Sequence, residues 1–176
     1  IELVNKLQME ALILHSKLPY EAQPYLFVEF HGTETGVAEQ AEIFGEIAAE
    51  NGGGEFRWTN DPEERDRLWR ARHDAFLASF LLRPGAKGVS TDVCVPISRL
   101  ADCIAETEKD LAESGLIAPV VGHVGDGNFH LLLLLDTDNA SEMVRAEEFM
   151  DRLVKRALAM EGTCTGEHGI GQGKMK

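Results

Sequence analysis

Cysteine is scarce. Cys94, Cys103 and Cys164 are an odd, irregularly spaced three, which argues against a disulfide framework. A reducing setting follows, cytoplasmic or, in a eukaryote, mitochondrial. Long apolar runs are also missing. The longest, Leu131 to Leu135, has the length of a buried strand and not of a membrane span. No segment reads as a signal peptide. Positive charge is short: 17 Lys+Arg stand against 30 Asp+Glu, a net charge of −13. A nucleic-acid binder would need a basic footprint, and an anionic membrane surface would repel this chain. An anionic substrate therefore requires a local positive site, such as a metal or a buried Arg. There is no internal repeat and no low-complexity linker. No phosphate loop ending in Gly-Lys-Ser/Thr occurs. Gly169-Ile170-Gly171-Gln172-Gly173 lacks the last interval of a dinucleotide fingerprint and has no strand–helix frame around it.

What is present fits an ordinary globular domain. The 176 residues suit one compact domain with a real core. The chain opens at Ile1 and stops at Lys176, after a glycine-rich stretch. Both ends read as cut, so a longer protein is expected. Leu3, Leu7, Ala11 and Leu14 recur at helical spacing, which predicts an opening helix. Tyr25 to Phe30 alternates as a strand. Val37 to Glu50 reads as a helix stopped by Asn51-Gly52-Gly53-Gly54. Glu55 to Thr59 reads as a short strand. Asp61-Pro62 opens a helix running to about Leu82. Lys87 to Val95 reads as a strand, and Ser98 as the cap of a helix to about Glu113. Pro119 to His123 and Asn128 to Leu135 read as strands around Gly125-Asp126-Gly127. Ser141 to Glu161 reads as the last helix. The 123–130 connection is too short for a parallel crossover. The expectation is an α+β fold: an antiparallel sheet with helices packed on one face, ferredoxin-like.

Two segments carry chemistry, Gly122-His123-Val124-Gly125-Asp126-Gly127-Asn128-Phe129-His130 and Gly162-Thr163-Cys164-Thr165-Gly166-Glu167-His168-Gly169. In a hairpin, His123 and His130 end near each other at its mouth. Two neutral imidazoles and one carboxylate would leave open positions on a divalent ion, as a catalytic site requires. The competing reading is a pair of core histidines beside a turn. Three of the six histidines fall in these segments, which weakens that alternative. Asp126 is a turn residue before it is an imidazole partner. Glu167 lies in a glycine-rich loop, where sites are common. Nothing marks Cys164 as a nucleophile. His15, His31 and His73 have ordinary structural readings. Arg72 follows Leu68 and Trp69 at helical spacing, so it can point inward and needs an anion. A structural Asp or Glu is the commoner partner; a substrate carboxylate is the other.

The 122–130 and 162–171 segments resemble the signatures of the FAD-linked oxidase C-terminal domain, of the vanillyl-alcohol-oxidase type of flavoenzyme. Leu68-Trp69-Arg70-Ala71-Arg72-His73-Asp74-Ala75 and the 87–100 stretch Lys-Gly-Val-Ser-Thr-Asp-Val-Cys-Val-Pro-Ile-Ser-Arg-Leu resemble its mitochondrial-type D-lactate dehydrogenase branch. The resemblance covers essentially the whole chain. It implies that residues 1–176 are a substrate- and metal-binding domain, with an N-terminal FAD-binding domain lying outside this chain. It further implies His123, His130 and Glu167 as metal ligands, His168 as catalytic base and Arg72 as the holder of a substrate carboxylate. Phe76 stands where 2-hydroxyglutarate-oxidising relatives have Thr, and Leu132 where they have Asn. Both make the pocket less suited to a second carboxylate. The substrate Lys of those relatives aligns more naturally with Ser90 than with Lys87.

The implied function is FAD-dependent oxidation of a D-2-hydroxy acid, D-lactate-like, to the 2-oxo acid. The implied cofactors are FAD, held mainly by the other domain, and Zn, Mn or Fe as the divalent metal. The implied partners are the small-molecule acid and an electron acceptor such as a cytochrome or an electron-transfer flavoprotein. Two other classes fit the same residues: a non-catalytic metal or small-acid binding module, and a metal-dependent hydrolase.

Overall fold

The computed structural model describes residues 1–171. Gln172 and Gly173 of the terminal glycine run lie outside the described residues. The chain divides into two compact units where its length suggests one. The first comprises Ile1–Phe27 together with the chain from His73 onward, and the second is Val28–Arg72.

The first unit is built on a six-stranded antiparallel sheet, as the α+β expectation requires. Its strands are β1 (Glu2–Val4), β2 (Tyr25–Phe27), β3 (Lys87–Ser90), β4 (Val93–Cys94), β5 (Val120–His123) and β6 (Asn128–Leu135). The order is β2-β1-β5-β6-β3, and β4 also pairs with β6. Helices α1 (Lys6–Ser16), α4 (Ala75–Ser79), α5 (Ile97–Ser114) and α6 (Ala140–Ala159) belong to this unit.

β6 organises the core because all eight of its residues are buried. Alternation sends Phe129, Leu131, Leu133 and Leu135 to one face. There they join Leu100, Cys103 and Leu111 of α5 and Ala146, Phe149, Leu153 and Ala157 of α6. These helix residues recur every three or four positions, the stripe an amphipathic helix presents to a sheet. The other face of β6 carries Asn128, His130, Leu132 and Leu134. Near Gly88 of β3, Leu132 and the Phe80 ring close this side over the sheet.

Several local predictions change in three dimensions. Leu3 lies on a strand, not a helix. β1 pairs with β2 and β5, and Asn5 caps α1 by accepting from the Gln8 amide. The helix expected to run to Leu82 breaks at Asp74 into α4 and a 3-10 turn at Phe80–Leu82. Ala75 O there accepts both Gln8 Nε2 and Ser79 Oγ; a Ser hydroxyl bonded four residues back bends helices. Pro96, not Ser98, precedes the first residue of α5. The expected strand Lys87–Val95 is two strands, interrupted at Thr91 and Asp92.

The second unit holds α2 (Glu34–Glu50) and most of α3 (Pro62–His73). Thr33 caps α2, which starts three residues before the predicted Val37. Glu55 to Thr59 forms no strand, since among the described residues nothing pairs with it. An aromatic chain fastens this unit instead, with ring centroids of Phe30–Phe44 at 5.9 Å and Phe44–Phe56 at 5.3 Å. Among the described residues no helix is long and apolar enough to cross a membrane.

A salt bridge network ties α5 to α6. Asp110 accepts from Arg152 Nη2 at 2.7 Å and from Arg156 Nη2 at 2.8 Å. Burial by itself raises the Asp110 carboxyl, but bonds from Arg152 and Arg156 outweigh it and hold the group below the ordinary carboxylate range. The folded value is depressed. Its stabilisation is therefore complete above the unfolded value of about 3.9 and lost as pH falls through the folded one. Asp110→Asn is expected to cost about 1 kcal/mol at neutral pH. That difference should shrink progressively under acid conditions. Urea titrations at several pH values check this; a pH-independent difference would contradict it.

Candidate functional site

The site lies on the face of β5 and β6 turned away from the α5–α6 core. Antiparallel register sets His123 opposite Asn128 and Val121 opposite His130. Paired residues share a face, so His123 and His130 are diagonal neighbours on one side. Their ring centroids are 5.6 Å apart and nearly perpendicular. The connection between the strands is a 3-10 turn, Val124–Asp126, closed by Gly127 at φ 75°. The turn is short enough to keep the two imidazoles together, as the hairpin reading requires.

Glu167 reaches the same point from the loop after α6. Its Oε1 lies 3.4 Å from His123 Nε2 and 3.1 Å from His130 Nε2. One ligand atom from each of the three falls within 4.8 Å of the others. The opposite ring nitrogens are engaged elsewhere. His123 Nδ1 is 2.7 Å from Glu2 Oε1, and His130 Nδ1 is 3.1 Å from Thr91 O. Both acceptors take a proton from Nδ1, and both Nε2 atoms face Glu167. His130 Nε2 is buried and makes no hydrogen bond. Burial depresses the His130 pKa, only partly opposed by Thr91 and Asp92, and so keeps the ring neutral. Two imidazole nitrogens, one of them buried and without a hydrogen bond, and one carboxylate form a donor set that can hold a divalent cation.

His168 stacks on His130, with centroids 4.8 Å apart and planes 14° apart. Its Nε2 lies 3.7 Å from Glu167 Oε1. An open cleft of about 290 Å³ borders the cluster, lined by Cys94, His123, Asp126, Asn128, Gly166 and Glu167. Burial, with Asp92 and Asp126 nearby, pushes the Cys94 thiol up. Its Sγ donates to Asp126 O, so Asp126 serves the turn through its backbone.

The remaining candidates stand on other elements. Leu132 is buried two residues beyond His130 on the same face. Phe76 on α4 is 56% exposed and meets Phe80 edge-on. Neither lines the cleft. Lys87 is exposed at the start of β3. Arg72 is half-buried near the end of α3, in the second unit.

Motif spacing does not single out Asp92. It is 1% exposed, and β6 register places it across from His130. Oδ2 accepts from Thr165 Oγ1 and from the amides of Gly166, Glu167 and His168. Oδ1 accepts from Asn128 Nδ2. Burial would raise its carboxyl, but these bonds win and hold it far below the usual range. The signal was the polar run Ser90-Thr91-Asp92, which breaks strand alternation. Nothing local singles out Glu2 either, since its three-residue strand has no signature.

A family model described as FAD linked oxidases, C-terminal domain, matches residues 1–176. The chain belongs to that family. Curated relatives agree. The chain is 51% identical over 174 residues to a probable mitochondrial D-lactate dehydrogenase of Danio rerio, covering 99% of this chain and 35% of that protein. It is 39% identical over 176 residues to the mitochondrial D-lactate dehydrogenase [cytochrome] of Arabidopsis thaliana, covering 100% and 31%. It is 30% identical over 177 residues to glycolate oxidase subunit GlcD of Escherichia coli strain K12, covering 99% and 35%. This FAD-linked oxidase domain thus spans about a third of the length of these relatives. Its fold matches 4-ethylphenol oxidase from Gulosibacter chungangensis, in an isoeugenol complex. The TM-score is 0.62 at 13% identity, with 92% of this chain and 38% of that one covered.

Proposed function

We propose that residues 1–176 form the substrate- and metal-binding domain of an FAD-dependent dehydrogenase that oxidises a D-lactate-like D-2-hydroxy acid to the 2-oxo acid. The observation that carries this reading is the convergence of His123 and His130 Nε2 on Glu167 Oε1, in a chain whose relatives are named D-lactate dehydrogenases. His123, His130 and Glu167 would hold the metal. When bound, Zn, Mn or Fe supplies a Lewis acid that favours ionisation of an α-hydroxyl, and FAD supplies the hydride acceptor.

The chain's own residues divide the remaining work. His168 is half-exposed beside the ligand cluster and takes the hydroxyl proton at its imidazole. By the family resemblance, Arg72 is the residue assigned to the substrate carboxylate. Phe76 and Leu132, which stand off the cleft, replace the Thr and Asn of 2-hydroxyglutarate-oxidising relatives and offer a second carboxylate no hydrogen bond, which is the argument for a small monocarboxylic acid. A cytochrome is the electron acceptor that the Arabidopsis relative's name supports. In a eukaryotic cell, the names of the Danio and Arabidopsis relatives support the mitochondrion.

The test is stopped-flow reduction of the full-length protein. It should be yellow and bleach on mixing with D-lactate. His168→Ala should bleach about 10²- to 10⁴-fold more slowly with metal content unchanged. Near-normal bleaching of His168→Ala would remove the base role. A colourless full-length protein that hydrolyses esters would favour a metal hydrolase.

A further inference from the structure

The proposed ligand set does not explain what holds Glu167 and His168 in place. Their side chains are 53% and 47% exposed, so close packing does not fix them. From Cys164 to Ile170 the backbone is in no helix or strand. Among the described residues, the last ladder contact is the bridge of Thr163 to Cys94.

We propose that Asp92 is the positioning residue of this site: its carboxylate fixes the backbone of Glu167 and His168, and thereby sets the affinity of His123, His130 and Glu167 for a divalent cation. The inference rests on the metal reading above and adds a residue to it. One oxygen, Oδ2, gathers Thr165 Oγ1 at 2.6 Å and the Gly166, His168 and Glu167 amides at 2.8, 2.9 and 3.1 Å. Three successive amides aimed at one anion form a nest, a geometry that a carboxylate satisfies and a neutral amide does not. The other oxygen faces the hairpin, 3.0 Å from Asn128 Nδ2 and 3.5 Å from His130 Nδ1. One buried carboxylate therefore touches both halves of the ligand set. Gly166 makes the approach possible. A Cβ there would lie 1.4 Å from Asn128 Nδ2 and 2.9 Å from Asp92 Oδ1. In Asp92→Asn, an NH₂ group would face four donors, or the amide would flip and face Asn128 instead.

The experiment compares wild type, Asp92→Asn and Thr165→Val in the full-length protein. Mn²⁺ affinity is read by calorimetry, and amide exchange by mass spectrometry. Asp92→Asn should bind Mn²⁺ about 10- to 100-fold more weakly. Exchange should accelerate at 166–168 while β6 stays protected. Excess Mn²⁺ should restore turnover, which it could not do for a damaged fold. Thr165→Val should shift affinity the same way by less, with melting unchanged. Wild-type binding with an unaltered Asp92→Asn affinity, or weakened affinity without faster loop exchange, overturns the role of Asp92 alone. A wild type that takes up no Mn²⁺ overturns the metal reading and this inference together. Should Asp92→Asn not fold, an unchanged affinity in Thr165→Val overturns the proposal.

Discussion

Replacing His123 and His130 together by alanine is expected to leave the full-length protein with essentially no bound divalent metal. Wild type should carry about one ion per chain, the stoichiometry of a three-ligand catalytic site. The double variant leaves Glu167 as the single remaining ligand, on a half-exposed loop, and one carboxylate does not retain an ion against water. Flavin reduction by D-lactate should fall by about 10³-fold or more, the equivalent of several kcal/mol of Lewis-acid stabilisation. Structural damage should be modest by comparison. The rings lie on the face opposite Phe129 and the α5–α6 core, so their loss leaves that core intact. Elemental analysis of the two proteins side by side decides the matter. Equal metal content would mean that these histidines are not ligands, and the buried, unbonded His130 Nε2 would need another explanation.

Gly127→Ala should strike the same hairpin through the backbone. Gly127 sits at φ 75°, where an L side chain is strained by about 1–2 kcal/mol. An added Cβ would also stand 2.0 Å from Val95 O and 3.2 Å from Val95 C. Both atoms are backbone, so no rotamer change relieves the contact, and Gly127 O already binds Val95 N at 2.9 Å. Overpacking of this kind adds about 1–3 kcal/mol. A total of about 3 kcal/mol corresponds to a melting shift on the order of 10 °C for a unit of this size. Gly125→Ala, two residues away, is the control. Its Cβ would meet nothing closer than Ile1 N at 4.0 Å, so its melting should match wild type. Equal melting of the two variants would refute the steric argument.

The hairpin shows how far local reading reaches. Gly-Asp-Gly between two β-rich segments predicts a tight antiparallel turn, and the distance between His123 and His130 follows from that turn alone. Helix α6 is legible in the same way, because its buried residues keep a spacing of three or four. The errors have a common form. Leu3 shares a helical spacing with Leu7, Ala11 and Leu14, yet it pairs with Leu26 and Gly122 on neighbouring strands. Glu55 to Thr59 has strand composition and finds no partner strand among the described residues. Periodicity reports which face a residue can bury; it does not report whether a partner strand exists.

The sequence by itself determined the hairpin that carries His123 and His130, the glycine loop with Glu167 and His168, and the α+β class, because turn chemistry and apolar spacing act over a few residues. Only the tertiary structure decided which groups orient those side chains. Glu2 reaches His123 across 121 positions of chain, and Asp92 reaches the 165–168 loop across 73 to 76. Such contacts leave no periodic trace, since they depend on which strands lie side by side. The Ser90-Thr91-Asp92 interruption was visible as broken alternation. Its meaning, a buried carboxylate joining both halves of the site, came only from the pairing of β3 and β4 with β6.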